Sequence, residues 1–275
     1  MPSISEIAPN LRLDKTGIWS AASTEAISYP EEGNQACFEL EESSFWFKHR
    51  NACITMAATV FPPANNGPIF DIGGGNGFVS CGLIKAGFET VLVEPGPSGA
   101  ANGKSRGIPT VICATTTDAG FKNSTLDGVG LFDVIEHIEE DHNFLTSIRN
   151  LLKPNGRLYA TVPTYSMLWS EEDELAGHFR RYTRDSICSV IEGAGLKIDY
   201  ATYFFRPLPA PIFLLRSLPH RLGVKRTPNQ EAANDHKAGI GAALMDGLLE
   251  REIRNISHGR TMSFGASCLV VASAR

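Results

Sequence analysis

The sequence predicts a doubly wound α/β sheet, seven-stranded and mostly parallel with an antiparallel last strand, carrying an N-terminal helical cap and lid insertions. Three observations predict it. The apolar run Ile69 to Ile72 enters a glycine loop, Gly73-Gly74-Gly75-Asn76-Gly77, and then a helix-like segment, Phe78 to Ala86. Downstream, short apolar runs alternate with helical segments at the spacing of right-handed βαβ units. The chain of 275 residues, 43% apolar and 20% charged, is large enough for one full-sized core.

Taken in order, residues 1 to about 40 are mixed and turn-rich, with a turn cluster at Tyr29-Pro30-Glu31-Glu32-Gly33-Asn34. Ser43 to Val60 reads as an amphipathic helix, opened by a serine cap and closed before Pro62-Pro63. It precedes the glycine loop and is placed to cover it. After the first strand come Thr90 to Val93, Thr110 to Cys113, Gly128 to Asp133 and Arg157 to Val162, the last following a turn at Pro154-Asn155-Gly156 and a helix from His142 to Leu152.

Beyond Val162 the rhythm breaks. Residues 163–184 form a polar and aromatic insertion, followed by a helix from Asp185 to Ala194 and a strand from Lys197 to Phe205. Residues 206–238 are rich in proline and basic residues, and a helix from about Ile240 to Ile253 leads to a last strand, Ser267 to Ala272. No room is left there for another crossover, so an antiparallel edge pairing is expected. The division expected is an N-terminal cap or lid over residues 1–62 and a nucleotide-binding α/β domain over 63–275, with insertions at about 163–184 and 206–240.

Composition bounds the partners. The net charge of -5, from 25 basic and 30 acidic residues, provides no broad positive field for nucleic acid phosphates. The six cysteines include no C-x-x-C pair and several lie in apolar runs, which suggests a reducing compartment and no structural metal. Met1 to Asn10 lacks a basic region followed by an apolar core, and no run of eighteen apolar residues occurs, so a cytoplasmic protein is expected.

The glycine loop has its own physical logic. Glycines admit positive φ and let a ligand approach the main chain, and the helix beginning near Gly77 offers unpaired N–H groups. Asp71 stands at the carboxyl end of the first strand, where open α/β sheets bind their ligands. Glu94, nineteen residues after Gly75 and at the end of the second strand, is placed to accept hydrogen bonds from both hydroxyls of a ribose. Nicotinamide enzymes and enzymes using S-adenosylmethionine share these features.

The run Asp71-Ile72-Gly73-Gly74-Gly75-Asn76-Gly77 has the D-x-G-x-G-x-G spacing of class I S-adenosylmethionine-dependent methyltransferases. A dinucleotide loop would need glycine or alanine where Phe78 or Ser80 stands. Leu131 to Asp141 resembles that family's fourth-strand motif, and Leu151 to Leu158 its entry to strand five. Ser44-Phe45-Trp46-Phe47-Lys48-His49-Arg50 and Asp173 to Thr183 resemble, respectively, the helix before the loop and the insertion after strand five in one small-molecule branch. The resemblance covers about residues 35–205 and the final strand.

It implies that S-adenosyl-L-methionine is the cofactor. Asp71, Gly73, Gly74, Gly75 and Gly77 would hold its methionine part, Glu94 its ribose, and Asp118 would stand near the adenine amino group. Leu131, Phe132 and Asp133 would line it from strand four; Asp118 reads equally as a turn former and Asp133 as a helix cap. His137, His178 and Tyr182 are the candidate catalytic groups, with Glu136, Tyr165 and Asp173 beside them. Arg180-Arg181 fits either an acceptor clamp or ion pairs to the acidic run Glu171 to Glu174. Pro207 to Pro219 fits a lid over an apolar acceptor, an interfacial contact, or packing on the sheet.

The expected activity is in-line methyl transfer to a small molecule with an apolar or acidic part. Three other readings share parts of the pattern: intramolecular displacement on the same cofactor releasing methylthioadenosine, a non-catalytic cofactor-binding module, and a nicotinamide oxidoreductase.

Overall fold

The computed structural model describes residues 3–21, 38, 40–224 and 240–275. The turn cluster at Tyr29 to Asn34, Cys37, and the basic stretch from residue 225 to 239 lie outside the described residues. One mixed sheet organises the described residues. Its strands are β1 (Leu11–Leu13), β2 (Trp19–Ala21), β3 (Ile69–Ile72), β4 (Thr90–Val93), β5 (Thr110–Cys113), β6 (Leu126–Phe132), β7 (Leu152–Pro163), β8 (Leu196–Phe204) and β9 (Ser267–Ala274), in the order β1-β2-β5-β4-β3-β6-β7-β9-β8.

The seven strands expected from the sequence are all present, β3 to β9. The count of seven is corrected to nine, because the antiparallel hairpin of β1 and β2 continues the sheet by parallel pairing of β2 with β5. These strands have three residues each, too short to show a two-residue alternation. The last strand is antiparallel, as expected, but it is not an edge: β9 lies between β7 and β8 and pairs with both. Its burial reflects this, since seven of its eight positions from Ser267 are buried and only Ser273 is half-buried. The expected turn at Pro154 to Gly156 becomes an irregular stretch within β7, with Asn155 at a φ of 63° and a register shift against β6.

Helices cover both faces. Helix α1 (Phe45–Val60) is capped by Ser44, whose hydroxyl accepts from the Trp46 N–H, and packs on α2 (Phe78–Lys85) and on the long C-terminal helix α3 (Ile240–Ser257). On that face Trp46 stacks on Phe205 with ring centroids 4.0 Å apart, and Tyr159, Phe204 and Leu269 complete the apolar layer. The other face is closed by α4 (Asp141–Leu151) and α5 (Arg184–Gly193), whose Leu145, Ile148, Ile187 and Ile191 are fully buried.

The buried carboxylate Glu252 of α3 ties this packing to the end of β8. It accepts the N–H groups of Phe205 and Arg206, each at 2.7 Å, and lies 2.9 Å from His49 Nε2 of α1. Strand β3 pairs with both β4 and β6, so the chain reverses direction across the sheet there and the carboxyl ends of β3, β4 and β6 open a shared crevice.

Candidate active site

The crevice begins with Asp71 at the end of β3. The side chain is completely buried; Ser80 Oγ, one turn into α2, donates to Oδ2 at 2.7 Å, while Oδ1 has no hydrogen-bond partner. Burial lifts the carboxyl to about 6, against the pull of the Ser80 hydroxyl and the Arg50 charge. A buried carboxylate with one unsatisfied oxygen is suited to a cationic ligand group.

The glycine loop then turns over Asp71. Gly77 caps α2 with φ 75°, a value that a side chain opposes, and a Cβ on Gly74 would fall 2.8 Å from the Asp71 carboxyl carbon. The loop is tied to β4 by Glu94, which accepts the Gly75 N–H at 2.8 Å on one oxygen and the Gly96 N–H at 2.7 Å on the other. Each carboxylate oxygen can accept a second bond, so two remain for a pair of hydroxyls. Gly99 lets the next helix close on this corner: its Cβ would stand 2.9 Å from Glu94 Cγ and from the Gly75 carbonyl.

Arg50, on α1, is the last residue of the Ser44 to Arg50 run and reaches the end of β6. Its guanidinium donates to the Phe132 carbonyl at 2.6 Å and pairs with Asp133 at 2.8 Å. Asp133, at φ 56°, also accepts from Thr161 Oγ1 at 2.8 Å. Three further residues that motif reading missed hold the outer wall: Glu41 pairs with Arg106 at 2.8 Å and accepts from Asn76, whose amide oxygen accepts from Asn102. Spacing gives no signal for these, since their partners are 26 to 65 residues away.

Asp118 lies in the first turn of the short helix after β5, which Thr115 caps: its N–H donates to Thr115 Oγ1 at 3.0 Å and its carboxylate accepts the Thr115 hydroxyl at 2.9 Å. Leu131 is fully buried and packs into the core, and Phe132 presents its carbonyl to Arg50.

The residues expected to act on an acceptor divide into two groups. Glu136, His137 and His178 come together, their ligand atoms all within 4.8 Å of one another, with the two imidazole rings edge to face at 4.6 Å. Asp173 accepts from His178 Nδ1 at 2.8 Å and receives Arg181 on both oxygens at 2.7 and 2.9 Å. Hydrogen bonds from His178 and Arg181 hold Asp173 down at about 2 although burial opposes them. Burial, and then the neighbouring His178, lower His137 to about 4, so its ring is neutral at pH 7. Burial and the Asp133 charge raise Glu136 well above the usual carboxylate range.

Tyr182 bonds a residue outside this cluster. Its side chain is buried and its hydroxyl donates to Asp141 at 2.7 Å; burial and that bond raise it far above the usual phenol range. Arg180 pairs with Asp141 at 2.8 Å, so of the two arginines only Arg181 meets the acidic run, at Asp173. Tyr165 stacks on Tyr203 at 5.4 Å beside the insertion.

A sheet ordered β5-β4-β3-β6-β7-β9-β8, with an acid at the end of β3, a glycine loop and an acid at the end of β4, defines a class I nucleotide-edge enzyme of the S-adenosylmethionine type. The pattern of the family described as "Methyltransferase domain" matches residues 47–201, more than half of the chain, which therefore belongs to that family. It is an S-adenosylmethionine-dependent methyltransferase. No curated protein matches the sequence.

Solved structures agree on the fold. A complex between the Haloferax volcanii Trm112 methyltransferase activator and a methyltransferase contains a chain similar at 14% identity and TM-score 0.59, covering 90% of this chain and 99% of that one. Geranyl diphosphate methyltransferase in complex with SAM aligns at 15% identity and TM-score 0.53, over 82% and 85%. The [4+2]-cyclase SpnF aligns at 13% identity and TM-score 0.53, over 91% and 98%.

Proposed function

We propose that the chain transfers the methyl group of S-adenosylmethionine to a small molecule held between the carboxyl ends of β6 and β7 and the insertion after β7. The observation that carries this reading is the set of ties that fasten α1 and the insertion to the exit of β6. From above, Arg50 fastens α1 to the end of β6. From the other side the insertion is pinned to the exit of β6 by the Phe179 N–H on the Glu136 carbonyl at 2.8 Å, Arg180 on the Glu139 carbonyl at 2.6 Å, and Tyr182 on Asp141. Such walls suit an enclosed ligand better than a polymer, and the net charge of -5 points the same way.

The residues fit the cofactor. Asp71, with its unsatisfied Oδ1, would meet the ammonium group of the methionine part, the loop from Gly73 to Gly77 would carry its backbone, and Glu94 would take the ribose hydroxyls on its two remaining acceptor positions. Asp118, held by Thr115 in the first turn of the helix after β5, would stand near the adenine amino group, and Asp133 would line the cofactor while holding Arg50 in place. When bound, the cofactor supplies an electrophilic methyl carbon.

The chain's own work is positioning. In-line displacement gains most from a nucleophile held at a fixed distance and angle, and from water being excluded. The cluster of Glu136, His137 and His178 is the acceptor-side polar group of the site, oriented by Asp173 and Arg181, and Tyr182, tied to Asp141, fastens the insertion that carries His178. The unpaired thiols of Cys53, Cys81, Cys113, Cys188 and Cys268 support a reducing, cytoplasmic setting. No helix among the described residues is long and apolar enough to cross a membrane.

The test is product balance. With methyl-labelled S-adenosylmethionine and a small-molecule extract as acceptor, label is expected in the small-molecule fraction with one equivalent of S-adenosylhomocysteine. Release of methylthioadenosine in its place, or label confined to protein or nucleic acid, rejects the assignment.

A further inference from the structure

Among the buried carboxylates, Glu136 is the one whose state the site leaves unexplained. It follows the end of β6, is completely buried, and neither oxygen has a hydrogen-bond partner. Glu252, equally buried, has both oxygens occupied by backbone N–H groups, and Asp173 has both on Arg181. An unsatisfied buried carboxylate is costly unless it is neutralised or completed by another group, such as a proton, a water or an ion. What stands within reach of Glu136 is a pair of imidazoles, His137 and His178, with ligand atoms no more than 4.8 Å apart across the set.

We propose that Glu136, His137 and His178 form a binding site for a divalent first-row transition ion of the kind that accepts imidazole nitrogen, zinc or cobalt. Two histidines and a carboxylate are the donor set of three-ligand sites that keep a further coordination position open. Each imidazole is also oriented at one ring nitrogen. His178 Nδ1 bonds the Asp173 carboxylate at 2.8 Å, and His137 bonds the Ala176 carbonyl. A carboxylate or carbonyl behind a histidine fixes the ring and raises its basicity toward a metal, the arrangement found around metal-ligating histidines.

The donors come from two segments, the exit of β6 and the insertion after β7, so a bound ion would cross-link them. That explains why the insertion is pinned at this point by the Phe179 N–H on the Glu136 carbonyl. A metal was not expected from the cysteines, and this site uses none of them. It rests on the unsatisfied Glu136 carboxylate and the donor geometry; the same three groups stand on the acceptor side of the proposed reaction, and ion binding, read without turnover, is tested separately from it.

A second cluster supplies the control. His49, Cys53 and Glu252 also group within 4.8 Å, but there Glu252 is already satisfied by two N–H groups and lies against His49. It is therefore assigned a structural role.

The experiment uses the untagged full chain, stripped with a chelator and desalted. Zinc is titrated by equilibrium dialysis with metal analysis, and cobalt by its visible d–d absorption. One equivalent per chain is expected, with affinity falling at least about tenfold in Glu136→Gln and in His178→Asn. S-adenosylhomocysteine binding and circular dichroism report whether each variant is folded; Glu136→Gln is nearly isosteric and keeps the proposal testable if His178→Asn does not fold. Absence of a stoichiometric site, unchanged affinity in folded Glu136→Gln, or loss of the ion in Cys53→Ser with retention in Glu136→Gln, overturns the proposal.

Discussion

Replacing Asp71 with asparagine should stabilise the ligand-free protein at neutral pH while weakening its hold on the cofactor. Asp71 is fully buried, and burial raises its carboxyl from 3.8 to about 6. A raised acid favours the folded state while it is protonated: the contribution is complete below pH 3.8 and is lost as pH rises through about 6. Two pKa units at about 1.4 kcal/mol each correspond to about 3 kcal/mol.

Asparagine keeps the acceptor for the Ser80 hydroxyl and carries no charge. The stability of Asp71→Asn relative to the natural protein should therefore rise by about 3 kcal/mol between pH 3 and pH 7. Urea denaturation of both proteins across that range measures the difference, in which the other buried acids largely cancel. A difference constant with pH refutes the account of Asp71 as a charge held at a cost for a cationic ligand. In the same protein S-adenosylhomocysteine affinity should fall by about tenfold or more, since a charge-assisted hydrogen bond contributes about 1.5–3 kcal/mol.

Two further outcomes test the framework around that charge. Gly99→Ala places a Cβ 2.9 Å from the Gly75 carbonyl and from Glu94 Cγ; it should cut S-adenosylhomocysteine affinity about tenfold with a small change in Tm, as measured by calorimetric titration. Glu252→Ala removes the acceptor for the Phe205 and Arg206 N–H groups and the partner of His49 in a dry interface; a loss of about 3–5 kcal/mol by urea denaturation is expected.

Local chemistry made the sheet and the cofactor edge legible. Asp71, the glycine loop and Glu94 lie within 24 residues of one another, and their chemistry follows from backbone rules that act over short spans. Phe78 and Ser80, which argued against a dinucleotide loop, have physical uses here: Phe78 packs edge-on against Phe47 at 6.3 Å, and Ser80 binds Asp71. The hairpin of β1 and β2 escaped because three-residue strands carry no period, and β9 was expected at an edge because pairing order is a property of the whole sheet.

Arg50 lies inside the Ser44 to Arg50 run, but its role, like that of Glu41, comes from partners that only the fold brings close, Arg50 to Phe132 across 82 positions. The partner of the Tyr182 hydroxyl, Asp141, stands 41 residues earlier and had no signal in the spacing. Thr115, three residues before Asp118, is the signal for the helix start there: it caps the turn that holds Asp118.

The central claim is that Asp71, the loop and Glu94 together form the S-adenosylmethionine site, and Glu94 is its sharpest point. Titration calorimetry with S-adenosylhomocysteine on the natural protein and on Glu94→Ala, with circular dichroism confirming the fold of each, tests it directly. The account predicts one site per chain and a loss of at least about tenfold in the variant, from the two ribose hydrogen bonds and the loosened Gly75 and Gly96 N–H groups. Equal affinity in folded Glu94→Ala, or no binding by the natural protein, would contradict it.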